Sequence, residues 1–300
     1  MLVINNKGKN MKVLGKISDT GIRPEQEKLI REVLNECVGI FIVASPGHAQ
    51  GTAQETIQFL LNNCFSGENI NIEKVQGRDQ DEFDRSFLNS LRNDPDIVVL
   101  DEIKGNQELK AMIDSALSGH QVLTTVSSAS AFSVFKRLET LGVDRDLLGN
   151  PHFINGILYQ IPVDKLTPEN SITFDEYQKR PEAKQKVIDC VNEIFMPDEI
   201  TNIRFRKSDE NRFSNETFLI AEYLKVTPKL REMIANNKFD EALEHHIQNG
   251  AVSIDIDGKM IYSGLENINI SALEAIKNGF CDIREINKKL SIFGDLENED

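Results

Sequence analysis

Two adjacent carboxylates, Asp101 and Glu102, directly follow the apolar run 97–100. Four consecutive aliphatic residues predict a buried strand, which places both acids at its carboxyl end. At such a position one acid can hold Mg²⁺ through water while its neighbour polarises an attacking water. The pattern is therefore typical of a nucleotide-hydrolysing site, and the alternative is a solvated strand end.

The second candidate is the turn 45–52, between a predicted strand (39–44) and a predicted helix (51–64). In a strand–turn–helix unit, backbone N–H groups can hold phosphate at the helix N-terminus. The phosphate-loop pattern, GxxxxGK followed by Ser or Thr, is present only in part. Thr52 stands at the Mg²⁺-binding hydroxyl, but Gly51 replaces the lysine. Ser45 and Gln50 replace the two glycines.

Two interpretations of this turn remain open. It is either an ordinary turn in which Thr52 caps the helix, or a phosphate site without its lysine. In the second case the nearest cation is His48, and the candidate nucleotide-binding residues are Pro46, Gly47, His48, Gly51 and Thr52.

Arg85 and Arg92 are seven residues apart in a predicted helix, 83–92, and therefore share one face of it. They either reach a phosphate or pair with nearby acids. Spacing alone favours the second, structural role.

Strand and helix patterns alternate between about 18 and 165. The predicted strands are apolar on both faces and separated by single helices, which predicts an α/β fold with a mostly parallel sheet. From 166 to 300 the chain is more polar and predicts a small, mainly helical domain with an acidic tail. Residues 1–17 predict a short hairpin. The predicted strands of the α/β part lie at 39–44, 70–75, 97–100, 121–126 and 157–161. The C-terminal part has predicted short strands at 202–207 and 218–224, and predicted helices at 182–195, 229–235, 239–249, 272–278 and 283–290.

Composition excludes several classes of protein. The net charge of −14 over 300 residues disfavours a nucleic-acid surface, which has to be basic. No apolar run reaches the ~20 residues of a membrane span, and the N-terminus has no signal-peptide pattern. The four cysteines form no CxxC pair, which disfavours a zinc site and indicates reduced thiols in a cytoplasmic protein.

Three segments together resemble the type II secretion and type IV pilus assembly ATPase family, of the secretion-motor superfamily. Segment 83–96 is similar to the family's arginine segment, and 97–104 to its Walker B strand. Segment 116–125 is similar to the run before its histidine box. The likeness is specific between 83 and 160 and looser over the rest of 20–290.

The resemblance implies a RecA-like P-loop core at 18–165, followed by the helical domain, with ATP and Mg²⁺ as ligands. It gives Glu102 the catalytic carboxylate role and Arg85 and Arg92 the arginine roles. It places Thr52 at the metal, whereas the metal role of Asp101 is predicted from the carboxylate pair at the strand end.

The chain also departs from the family pattern. The lysine is Gly51, the histidine-box residue is Ser127, and the middle arginine is Leu88. The family's four-cysteine zinc element is absent, and 1–17 is interpreted as the remnant of an N-terminal domain.

The resulting hypothesis is a cytoplasmic motor ATPase-like protein of a secretion or pilus-assembly machine, peripheral to the inner membrane, that binds ATP and converts it to ADP and phosphate. The alternative is a catalytically dead pseudo-ATPase with a structural or regulatory role. Expected partners are copies of itself in a hexamer or lower oligomer, an active paralogous ATPase, or an inner-membrane platform protein. A recombinase or helicase is disfavoured by the acidic charge.

Overall fold

The computed structural model describes residues 20–36, 38–65, 70–207, 216–249, 252–256, 259–263 and 268–296. The hairpin predicted at 1–17, Cys37 and the last four residues of the acidic tail lie outside the described residues.

A six-stranded sheet forms the centre of the fold, in the order β2-β3-β4-β1-β5-β8. The five strands from β2 to β5 pair in parallel, and β8 pairs antiparallel with β5. The predicted mostly parallel sheet is confirmed. The domain boundary near 165 stays a prediction, and β8, which follows it in the chain, joins the sheet. The strands are β1 (Gly39–Ser45), β2 (Ile72–Val75), β3 (Ile97–Glu102), β4 (Gln121–Ser127), β5 (Ile154–Asp164) and β8 (Thr217–Lys225).

Helices cover both faces of this sheet because its strands are apolar on both sides. On one face, Phe41 and Val43 of β1 pack with Leu60 and other apolar residues of the first two helices. On the other face, Ile40 and Ile42 pack with a larger cluster that extends into the C-terminal part. The helices are α1 (Pro24–Leu34), α2 (Gln50–Cys64), α3 (Gln80–Arg92), α4 (Asn106–Leu117), α5 (Ser133–Leu141) and α6 (Arg145–Leu148).

The C-terminal part contains the predicted helices and two small antiparallel strand pairs. The sequence pattern indicated only one of these four short strands, β7, because strands of three to five residues carry little periodicity. The remaining elements are β6 (Ser171–Thr173), α7 (Phe174–Gln178), α8 (Gln185–Ile194), α9 (Pro197–Ile200), β7 (Arg204–Arg206), α10 (Pro228–Ala235), α11 (Phe239–Asn249), β9 (Val252–Ile256), β10 (Lys259–Ser263), α12 (Ile268–Lys277) and α13 (Ile283–Leu290).

A partly buried ion network joins this part to the sheet. The Arg206 guanidinium on β7 contacts Asp164 at the end of β5 (3.2 Å) and Glu285 on α13 (3.1 Å). The Asp282 carboxylate accepts hydrogen bonds from the Arg206 backbone N–H (2.8 Å) and the Arg284 guanidinium (2.6 Å).

Across the part of the chain that the structure describes, no helix has both the length and the apolarity that a bilayer span requires.

Candidate functional site

The two candidate segments lie at the same edge of the sheet. β1 and β3 run in parallel, with β4 between them. Glu102 pairs in register with Thr125 of β4, which in turn pairs with Val43 of β1. Neighbouring strands are about 4.8 Å apart, so the end of β3 is about 10 Å from the end of β1.

A bulge near the end of β3 places Glu102 on the face of the sheet that α2 covers. Val99 pairs with Leu123 and Glu102 with Thr125, so β3 carries one extra residue between the two pairs. Paired residues of parallel neighbours point to the same face of a sheet, and a bulge changes that orientation. Glu102 therefore shares the face of Thr125, on which α2 packs. Its side chain is 12% exposed and lies 3.2 Å from the Lys104 ammonium.

Asp101 is more exposed and has different partners. Its carboxylate lies 3.7 Å from the Lys74 ammonium on β2 and accepts a long hydrogen bond from the Gln76 side-chain amide (3.5 Å). Its backbone carbonyl accepts a bond from the Thr124 hydroxyl at 2.8 Å. Each of the two adjacent carboxylates thus has a lysine of this chain as a partner. Such exposed ion pairs contribute only about 0–1 kcal/mol to stability.

The turn after β1 is short and regular. Pro46 leads into a single 3₁₀ turn, Gly47–Ala49, and α2 begins at Gln50. The Ala49 N–H donates to the Pro46 carbonyl at 2.8 Å. The N-cap of α2 is Ala49, without a side-chain cap, so Thr52 does not have the capping role that the structural interpretation gave it.

Internal contacts hold this turn against the sheet. The Ser45 carbonyl accepts two hydrogen bonds, from the Gln50 side-chain amide (3.1 Å) and from the Ser128 backbone N–H (3.0 Å). A Cβ atom placed on Gly47 would lie 3.1 Å from the Ser127 hydroxyl oxygen. The turn therefore packs closely on the segment that follows β4.

The phosphates of ATP do not fit this turn as it is described. A phosphate-binding nest needs successive N–H groups turned inward by alternating right- and left-handed residues. Within 46–52, all of it described, no residue has a positive φ, and Gln50 is helical (φ −62, ψ −33). The sequence has no lysine or arginine between residues 32 and 73. Among the described residues, no group of three or more His, Cys, Asp or Glu side chains is placed to hold a metal ion.

The predicted nucleotide-binding residues of this turn differ in their exposure to solvent. Gly47, His48 and Gly51 are exposed, whereas Pro46 and Thr52 are half-buried. A Cβ atom on Gly51 would meet nothing within 4 Å, so the backbone position is not crowded.

Within the described residues, neither candidate arginine forms an ion pair with Glu102, whose carboxylate pairs with Lys104. Both arginines are exposed on α3, and Arg85 donates through Nε to the Asp81 carbonyl at 3.1 Å. Arg92 lies in the last turn of α3, about 10 Å farther along the helix axis. Its neighbour Asn93 donates to Glu73, near the start of β2 (3.0 Å), so Arg92 lies toward the opposite edge of the sheet. Their arginine roles stay a prediction.

Three buried polar side chains near the turn lack partners for some atoms. The atoms without a hydrogen-bond partner are the Gln50 Oε1, the Thr125 hydroxyl oxygen and both polar atoms of the Gln160 amide. Tyr159 pairs with Ala44, so Gln160 lies one step farther, beside Ser45. The sequence indicated none of this, because a lone glutamine in an apolar strand carries no functional signal. Lys74 was missed for a related reason, since its contact depends on which strands are neighbours.

Comparison with known proteins identifies the family. Residues 65–275 match the family model described as "Type II/IV secretion system protein". A putative type II secretion system protein E of Escherichia coli is 28% identical over 68% of this chain and 38% of its own length. A type IV pilus assembly ATPase PilB of Acinetobacter baylyi is 24% identical over 92% of this chain and 47% of its own length. The chain thus spans less than half of these relatives.

Solved structures support the fold. The pilus retraction motor PilT with bound ADP has a TM-score of 0.59 at 14% identity, covering 94% of this chain and 68% of its own. The Legionella pneumophila ATPase DotB has a TM-score of 0.56 at 14% identity, covering 92% of this chain and 65% of its own. The predicted RecA-like fold class is confirmed. The family model matches well over half of the residues, and the chain therefore belongs to the Type II/IV secretion system protein family.

Proposed function

We propose that this chain is a cytoplasmic subunit of a secretion or pilus-assembly machine that acts through assembly, without sustained ATP hydrolysis. The observation that carries the proposal is the turn 45–52. It has neither a lysine nor a left-handed residue, and the Gln50 side chain lies inside it. Losing a fixed cation beside a phosphate costs several kcal/mol, on the order of 10³-fold in rate.

The retained frame supports an assembly role. The apolar core on both faces of the sheet and the ion network around Arg206 do not depend on nucleotide contacts. The proposed partners are further copies of the chain in a hexamer or smaller oligomer, an active paralogous ATPase, and an inner-membrane platform protein at whose cytoplasmic side the subunit would lie. Light scattering of the purified protein, alone and with ADP, measures whether self-assembly needs nucleotide. The proposal expects that it does not.

The catalytic part of the proposal is tested with Glu102→Gln. Phosphate release from ATP by the purified chain should equal that of the variant and of buffer. A ligand that binds only the folded state raises the unfolding temperature. Because the proposal expects no such binding, millimolar ATP and Mg²⁺ should leave the unfolding temperature unchanged. Turnover that disappears in Glu102→Gln would contradict the proposal.

One observation favours a second candidate, a slow ATPase. The bulge in β3 gives Glu102 a protected position on the face that α2 covers. In this candidate Glu102, Thr52 and Asp101 would serve the nucleotide and Mg²⁺, with Arg85 and Arg92 acting from a neighbouring subunit. Glu102-dependent turnover in the assay above would favour it, and assembly that requires ATP would favour it further.

A further inference from the structure

We propose that Gln50 is a specificity-determining residue that keeps phosphate out of the turn after β1. This inference rests on the proposed function, because it names the side chain responsible for the absence of a nucleotide site. Gln50 both fills the inside of the turn and fastens the turn to the end of β1.

The position of Gln50 in the phosphate-loop pattern gives the first argument. It stands where the pattern has its second glycine, directly before the lysine position, Gly51. Glycine at such a place lets the backbone approach a phosphate closely. In this chain the residue is buried, with 8% of its surface exposed, so its side chain points into the protein.

The contacts of Gln50 give the second argument. Its amide donates to the Ser45 carbonyl at 3.1 Å, five residues earlier in the chain, and so bridges the two ends of the turn. The same carbonyl accepts the Ser128 N–H at 3.0 Å, which ties this bridge to the segment after β4. Rearranging the turn into a nest would break this buried hydrogen bond and leave a polar partner unsatisfied, which opposes the rearrangement.

The surroundings of Gln50 give the third argument. The buried Gln50 Oε1 has no hydrogen-bond partner and is an acceptor only. A carbonyl oxygen repels a phosphate oxygen, and no fixed positive charge lies in 32–73 to offset this. The Gln50 side chain therefore puts an acceptor oxygen in the turn, and residues 32–73 supply no lysine or arginine to a phosphate there.

Restoring the lysine alone should then fail. Gly51 is exposed, and a Cβ atom added there meets nothing within 4 Å, so we expect Gly51→Lys to fold normally. With Gln50 in place, however, the turn would stay closed and the new ammonium would point into solvent. Binding should return only when Gln50 is also removed, so the two changes should be strongly non-additive.

The experiment compares Gln50→Gly, Gly51→Lys and the double variant by calorimetric titration with ADP and Mg²⁺. We expect Gly51→Lys to bind no more tightly than wild type, and the double variant to bind at least about 100-fold more tightly than Gly51→Lys. The matched control is Gln54→Gly combined with Gly51→Lys. Gln54 is an exposed glutamine one turn farther along α2, so this pair should gain nothing.

Thermal unfolding of each variant without ligand verifies that it is folded. If Gln50→Gly is unstable, Gln50→Ala replaces it, because this variant also removes the amide and alanine favours the helix more than glycine does. A folded double variant that binds ADP no more tightly than Gly51→Lys would overturn the inference. Tight ADP binding by wild type would instead contradict the proposed function, whereas the role of Gln50 is measured by the ratio between variants.

Discussion

The turn after β1 and the end of β3 lie at one edge of the same sheet, yet they have diverged from the phosphate-site pattern to different degrees. At the turn, the glycine and lysine positions have changed, and a buried glutamine bridges the loop. At the end of β3, a carboxylate pair is present, and a bulge directs Glu102 to the face that α2 covers. The chemistry of a shared edge can therefore be lost on one strand and kept on another.

Main-chain bonds explain why this divergence leaves the frame intact. The Ile103 N–H donates to the Thr125 carbonyl at 2.9 Å, and the Ser128 N–H donates to the Ser45 carbonyl at 3.0 Å. Neither bond depends on the side chains at the strand ends. The frame is set by the apolar core, so residues at the edge can change at little cost in stability.

The largest expected effect comes from breaking that frame at its centre. Phe41 on β1 is fully buried and stacks on Tyr223 of β8, with ring centroids 6.4 Å apart. Phe41→Ala should lower the free energy of unfolding by about 3–5 kcal/mol, because it removes buried apolar surface and leaves a cavity. Urea denaturation measures this. Leu88→Ala is the control, since Leu88 is 55% exposed, and a similar loss in both variants would contradict the role assigned to the core.

Sequence patterns predict the frame better than the edge. The strands at 39–44 and 121–126 and the helix at 51–64 are predictable because their apolar residues follow a local period. The placement of β8 as the outermost strand, next to β5, depends on long-range pairing, which no local period encodes. The bulge in β3 is likewise invisible in the run 97–102. For this reason the sequence identifies Asp101 and Glu102 as candidates without showing that Glu102 faces α2.

The same limit applies to the turn. Gln50 is recognisable from sequence as a departure from the glycine pattern. Its bridge to Ser45 and its burial are properties of the folded chain, as are the contacts of Lys74 with Asp101 and of Lys104 with Glu102. Charge partners drawn from neighbouring strands become visible only once the strand order is known.

A smaller effect on stability should appear at high pH, and it involves Tyr159 on β5, the strand next to β1. Burial, and then the nearby Glu222 carboxylate, raise the pKa of Tyr159 from 10.0 to about 12. The folded state therefore retains this proton more strongly than the unfolded state, and the resulting stability is present below pH 10 and lost as pH rises from 10 to 12. Between pH 8 and pH 11, wild type should lose on the order of 1 kcal/mol more than Tyr159→Phe. Urea denaturation at both pH values measures the difference, and parallel losses in the two proteins would show that Tyr159 does not titrate as expected.

The smallest expected effect distinguishes a free position in the turn from a constrained one. Gly51 is exposed in the first turn of α2, where its φ is not positive and an added Cβ meets nothing within 4 Å. Gly51→Ala should therefore raise the free energy of unfolding by about 0.5–1 kcal/mol, because alanine loses less backbone entropy in a helix. Gly119→Ala is the matched control: its Cβ also has open space, but its φ of +92 disfavours any L side chain, so it should destabilise the protein. If Gly51→Ala were as destabilising as Gly119→Ala, Gly51 would have to adopt a glycine-only conformation in solution, and the turn after β1 would be nearer to a phosphate-binding nest than its helical backbone indicates.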